Sequence, residues 1–218
     1  MRKPELVFIA GCNAAGKSSF IRTRINELNG FEIIMTDVYK GRSKEVFKKA
    51  LQSGVDIVLE TVFNDSSFKE LVDQARNAGY YTSLIVLFLD TPQQSLERVA
   101  FRSIEQNGLI ISGNNIKINF NESFKNIANY FFYFDQTDFI YTGTTGKNQF
   151  VMSFQKSLLT EYKTNPLKYP QKFAEYSFHN GRLNEEAYTA IIKNMNFDSS
   201  RIQNGTQIEE RQGRRFKF

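Results

Sequence analysis

Short apolar runs and helical spacings alternate through the first two thirds of the chain, the pattern of a parallel sheet covered by helices. Residues 6–10 form an apolar run that predicts a strand, and a helix starting near Lys17 places Phe20, Ile21 and Ile25 on its inner face. A second strand over residues 31–35 ends at Thr36-Asp37, and a helix follows over residues 43–53. The third strand spans residues 56–62 and ends beside Glu60-Thr61. Phe68, Leu71, Val72 and Ala75 recur at helical spacing within residues 67–77, before Gly79 stops the helix. Residues 82–89 are apolar on both faces, as a central parallel strand requires. Asp90-Thr91-Pro92 then opens another helix, with proline in its first turn; Asp90 ends an apolar run and so imitates a Walker B aspartate, but the helix that follows at once favours an N-cap role.

Residues 107–115 turn polar and contain glycine, which predicts a mobile loop ahead of a helix over residues 116–132. One further strand is expected at residues 138–141. Beyond Thr142 the alternation stops, and helices are expected over residues 148–162 and 184–195, with Pro166 and Pro170 breaking the stretch between them. The predicted fold class is α/β: a parallel sheet of about five strands flanked by helices, followed by a helical C-terminal extension. Residues 1–146 read as the core and residues 147–218 as an extension with a basic tail packed on it. A chain of 218 residues accommodates that organisation.

Composition narrows the class. With 41% apolar, 14% aromatic and 23% charged residues the chain is not of disordered type. Its longest apolar run, residues 84–89, falls far short of the roughly 20 residues of a membrane-spanning helix, so a soluble protein without membrane contact is expected. The start, Met1-Arg2-Lys3 followed by apolar residues and Gly11-Cys12, superficially resembles a lipoprotein signal. The apolar run is too short for one and Glu5 precedes it, so a cytoplasmic location with a reduced thiol is the reading. One cysteine, Cys12, and one histidine, His179, exclude a disulfide framework and a Cys/His zinc site. The net charge is +5, but Arg211, Arg214, Arg215 and Lys217 carry most of it; without them 24 basic residues face 23 acidic ones. The body is near neutral, which argues against a nucleic-acid partner.

The most specific feature is Gly11-Cys12-Asn13-Ala14-Ala15-Gly16-Lys17-Ser18, followed by Ser19. It fits G-x-x-x-x-G-K-[ST] directly after a strand and at the opening of a helix, the context of a phosphate-binding loop. Glycines and small residues let successive backbone N–H groups converge on the phosphates of ATP. Lys17 bridges phosphate oxygens, and Ser18 is the candidate Mg²⁺ ligand. Cys12 within the loop reads as a small tolerated residue.

Asp37 and Glu60 follow the second and third strands at the carboxyl edge of the sheet, where the phosphates also lie. Two carboxylates there can orient an acceptor hydroxyl and hold the hydration shell of Mg²⁺. Arg98 and Arg102 are spaced i,i+4 at the base of the predicted loop, which suits a lid closing over the triphosphate. As structural residues they would pair instead with Glu97 and Glu105. These features leave open a kinase of a small hydroxyl-bearing acceptor, an ATPase whose nucleotide state switches binding, and a domain that binds nucleotide without turnover.

Several ordered segments together resemble the zeta-toxin-type P-loop kinases: Ile9-Ala-Gly-Cys-Asn-Ala-Ala-Gly-Lys-Ser-Ser-Phe20, Thr36-Asp37, Leu59-Glu-Thr-Val-Phe63, Ala78-Gly-Tyr80, and Leu89-Asp-Thr-Pro with Leu96-Glu-Arg-Val-Ala-Phe-Arg102. Ser123 and Asn126 fall in register with the same pattern, and the likeness covers about residues 5–145. The resemblance implies ATP and Mg²⁺ as cofactors and transfer to the 3′-hydroxyl of the amino sugar of UDP-N-acetylglucosamine. It implies Asp37 as the catalytic carboxylate beside Lys17, Arg98 and Arg102, an acceptor site lined by Glu60 and Thr61, and an antitoxin-like protein partner. The chain departs from the family pattern at Val62, where a threonine is usual, and at Asn119 and Glu122, where cations are usual.

Overall fold

The computed structural model describes residues 2–39, 41–106 and 112–199, except for the side chains of Thr36, Asp37, Glu105 and Gln106. Strands β1 (Glu5–Ala10), β2 (Phe31–Met35), β3 (Asp56–Thr61), β4 (Tyr81–Phe88) and β5 (Gln136–Tyr141) run parallel. Strands β6 (Gln149–Gln155), β7 (Leu158–Tyr162) and β8 (Phe197–Asp198) continue the same sheet antiparallel. The order is β2-β3-β1-β4-β5-β6-β7-β8. Every residue of β1 and of β4 is buried, because each strand is paired on both sides and covered on both faces. Parallel pairing requires crossovers, and these are supplied by α1 (Lys17–Thr23), the short α2 (Thr36–Tyr39) with α3 (Ser43–Ser53), α4 (Phe68–Asn77), and α5 (Pro92–Gln106) with α6 (Gly113–Tyr130). All five parallel strands therefore end at one edge, and the loops leaving that edge build the site.

The core holds no tryptophan and is built on phenylalanine instead. Phe8, Phe63, Phe68 and Phe134 join β1, the turn after β3, α4 and the turn before β5, with ring centroids 4.1 Å apart for Phe63 and Phe68 and 5.4 Å for Phe8 and Phe134. A second cluster ties the late elements to the sheet. Phe173 of α7 (Lys168–His179) lies 4.8 Å from Phe139 of β5 and 5.8 Å from Phe154 of β6, and Phe131 stands 4.8 Å from Phe154. Helix α8 (Glu185–Ile192) packs on α7.

Several sequence expectations need correction. Among the described residues the sheet has eight strands, the five parallel ones expected and three antiparallel ones beyond them. Residues 148–162, expected as a helix, form the β6–β7 hairpin instead. Phe150, Phe154, Leu158 and Tyr162 recur every four residues and imitate a helical face. The hairpin wins because β5 offers an open edge and Phe154 completes the aromatic cluster, while Leu158 sits 41% exposed at the turn. Pro170 does not break structure but lies buried in the first turn of α7, where its missing N–H costs nothing. Ile25 is 54% exposed, because α1 ends at Thr23 and the chain turns. Helix α6 begins at Gly113 with Ser112 as its N-cap, so residues 113–115 are helical rather than loop; residues 107–111 lie outside the described residues. The basic tail lies outside them too. No described helix is long and apolar enough to cross a membrane.

Candidate functional site

The loop between β1 and α1 leaves the sheet between β3 and β4. Gly11 adopts φ +155°, and a Cβ there would stand 2.1 Å from the backbone oxygen of Leu87 on β4. Glycine is thus dictated by the closeness of the neighbouring strand. Gly16, at φ 85°, is the left-handed N-cap from which α1 starts, and Ala14 takes φ 56° between them. Lys17 is buried, and its Nζ donates to the carbonyls of Gly11 at 2.9 Å and Cys12 at 3.1 Å, so the cation is held over the loop. Cys12 and Ala15 are buried and Ser19 is exposed. Burial pushes the Cys12 thiol above its ordinary value, and Lys17 nearby opposes the shift only in part. A raised pKa disfavours the thiolate, which agrees with the reading of Cys12 as a small filler of the loop.

The Ser18 hydroxyl donates to both carboxylate oxygens of Glu60, at 2.9 and 3.3 Å. Glu60 occupies the last turn of the pleat of β3, in register with Ile9 and Met35, and is only 7% exposed. A serine hydroxyl and a carboxylate so close are hard oxygen donors of the kind Mg²⁺ takes, so the pair fits the cation expected beside a phosphate-binding loop. Thr61 is turned to its own backbone, its Oγ1 accepting from the N–H of Phe63 at 3.0 Å. That bond supports Phe63 at φ 61°, whose carbonyl is met by Nδ2 of Asn126 at 3.3 Å. Asp37 lies in α2, directly after β2 and at the same edge as Glu60; its side chain is outside the described residues.

Arg98 does not pair with Glu97. Its guanidinium donates to the carbonyls of Ala14 at 3.4 Å and Thr142 at 2.5 Å, which clamps the loop to the end of β5. Glu97 is engaged by Gln93 instead, at 3.0 Å. Arg102, one turn further along α5, is exposed, and the side chain of Glu105 is outside the described residues. Asp90 caps a helix, but not the one expected: its Oδ1 accepts from the N–H groups of Lys168 and Tyr169 at 2.8 and 2.7 Å, the first turn of α7. Thr91 serves α5, accepting from Gln94 N–H at 3.3 Å.

Three residues whose bonds to the loop no sequence pattern revealed complete its setting. Ser95, fully buried, donates to the Asn13 carbonyl at 2.7 Å, and Thr142 Oγ1 donates to the Ala15 carbonyl at 2.8 Å. Asn119 of α6 donates to the Asn13 side chain at 2.9 Å. Each lies far from the loop in sequence, and although Asn119 stood out as a departure from the family pattern, no spacing pointed to its partner. Behind the loop a small cavity is lined by Cys12, Phe88, Phe120, Ser123 and Tyr169, and the buried Ser123 hydroxyl has no partner among the described residues. Burial also drives the Tyr169 phenol well up, so this wall stays uncharged.

Residues 41–148 match the family model described as Zeta toxin. Among solved structures the chain is similar to one from the PezAT chromosomal toxin-antitoxin system of Streptococcus pneumoniae, at 12% identity and TM-score 0.51, covering 68% of this chain and 72% of that one. It is also similar to a chain of the AvrRxo1-ORF1:AvrRxo1-ORF2 complex with sulphate ions, at 12% identity and TM-score 0.57, covering 90% and 78%. The same complex with ATP gives 13% identity and TM-score 0.57, covering 89% and 77%. No curated protein matches the chain.

Proposed function

From the match of residues 41–148 to the Zeta toxin family model and the loop ahead of them, we propose that the chain is a zeta-toxin-type P-loop kinase that transfers the γ-phosphoryl group of ATP to a hydroxyl of a small acceptor. The observation that carries this reading is the Ser18–Glu60 pair beside a loop whose lysine is already folded over its carbonyls. Loop N–H groups and Lys17 take the phosphate charge. The oxygens of Ser18 and Glu60 would hold Mg²⁺, which when bound would supply further neutralisation of the phosphate charge. Asp37 receives the proton of the acceptor hydroxyl as that oxygen forms its bond to the γ-phosphorus. The bond from the γ-phosphorus to the bridging oxygen then breaks, and ADP leaves. Arg98 keeps the loop in shape through Ala14, and Arg102 supplies charge from α5. Family type supports UDP-N-acetylglucosamine as the acceptor, with Glu60 and Thr61 at its site, and a cytoplasmic setting. The likeness to a chain from a toxin-antitoxin system supports a protein partner of antitoxin type.

The test compares the native protein with Asp37→Asn and Lys17→Ala, reading nucleotide affinity by calorimetry and phosphorylated product by mass spectrometry across UDP-sugars and other metabolites. Asp37→Asn is expected to keep ATP affinity and to lose roughly 10²- to 10⁴-fold in transfer, as removal of a positioned base does. Lys17→Ala is expected to lose ATP binding itself. A native protein that hydrolyses ATP, labels no acceptor and loses nothing at Asp37→Asn would be a switch ATPase, and the kinase reading would fall.

A further inference from the structure

Three carboxamides form a chain that ends on the phosphate-binding loop. Asn64, in the turn between β3 and α4, donates its Nδ2 to Oδ1 of Asn119 at 3.2 Å, and Asn119 donates its Nδ2 to Oδ1 of Asn13 at 2.9 Å. The partners stand 55 and 106 residues apart in sequence, so only the fold brings them together. Asn13 is the third residue of the phosphate-binding loop, and its backbone is pinned separately through its carbonyl by Ser95. Its side chain is thus the adjustable part.

The direction of the chain matters. An amide has one face that accepts and one that donates, and a phosphate attracts only the second. Asn64 occupies the oxygen of Asn119, which fixes that amide with its nitrogen toward the loop. That nitrogen in turn occupies the oxygen of Asn13, so what Asn13 has left for an anion is its Nδ2 donors. We propose that Asn119 is a positioning residue that sets the polarity of the Asn13 carboxamide, so that the loop binds a nucleoside triphosphate in preference to a diphosphate. The proposal rests on the reading of the loop as an ATP site. A neutral amide thereby does part of what a cation would do at this position, through the loop rather than by touching the ligand.

The experiment measures calorimetric affinities of Mg²⁺ with ADP and with a non-hydrolysable ATP analogue for the native protein, Asn119→Ala, Asn119→Asp and Asn64→Ala. Asn119→Ala frees the Asn13 amide to turn, and triphosphate affinity is expected to fall about two- to tenfold, the scale of one net hydrogen bond, with ADP affinity unchanged. Asn119→Asp is the sharper variant. It still accepts from Asn64, but it forces Asn13 to donate, which turns the Asn13 oxygen toward the phosphates; triphosphate affinity should fall further than in Asn119→Ala. Asn64→Ala should show the same discrimination loss, smaller. Because Asp is isosteric with Asn, that variant keeps the test alive even where alanine perturbs the fold. Equal weakening of both nucleotides, or no weakening of either, overturns the proposal while leaving the ATP site standing. A native protein that binds neither nucleotide overturns the ATP-site reading and this proposal with it.

Discussion

Gly11 shows how one residue ties the chemistry to the sheet. The loop must leave β1 so close to β4 that the Leu87 carbonyl fills the space of a side chain. Gly11→Ala therefore meets backbone rather than a yielding side-chain tip, and its φ of +155° adds strain of its own. The variant is expected to lose ATP binding and to melt at a lower temperature, read by calorimetry and circular dichroism. An unchanged midpoint and affinity would refute the tight contact. The loop residues were legible in sequence because a turn that wraps phosphates is local chemistry written in consecutive positions. Glu60 was legible as a carboxylate at a strand end, but its bond to Ser18 was not, since 42 residues separate them.

At the scale of elements, the end of β4 organises two helices. Asp90 takes the first two free N–H groups of α7, whose own N-cap, Leu167, offers no side-chain acceptor. The aromatic stack of Phe88 on Tyr169, at 4.4 Å, follows directly from this junction. Asp90→Ala is expected to cost about 1 kcal/mol, a capping loss that lowers the melting midpoint by roughly 2–4 °C. Asp90→Asn keeps an accepting oxygen and should lose less; equal midpoints for all three proteins would show that the cap contributes nothing. The Asp-Thr-Pro sequence correctly announced a capped helix start. It could not say which helix, because the aspartate reaches across 78 residues while the adjacent threonine caps the nearer one.

For the molecule as a whole, the late strands are part of the sheet that carries the loop. Without residues 149–179 the edge of β5 would open, and Phe131 and Phe139 would lose Phe154 and Phe173. Loss of one such ring costs about 3–5 kcal/mol, against a total stability of about 5–15 kcal/mol. A chain ending at residue 146 is accordingly expected to aggregate or to lack a cooperative melt, checked by size-exclusion chromatography and circular dichroism. A monodisperse, cooperatively folded fragment would contradict this dependence. The sequence by itself determined the parallel strands, most of their helices and the phosphate-binding loop, because each rests on spacing within a few residues. Tertiary structure alone decided that residues 149–162 pair as a hairpin, where a four-residue recurrence of apolar side chains suited a helix equally well until β5 supplied an edge to bond. It alone decided that Arg98 holds backbone carbonyls, and that Asn13, Asn64 and Asn119 meet. Hydrogen-bond partners chosen across the fold leave no period in the chain, and only the packed strands and helices bring them within reach.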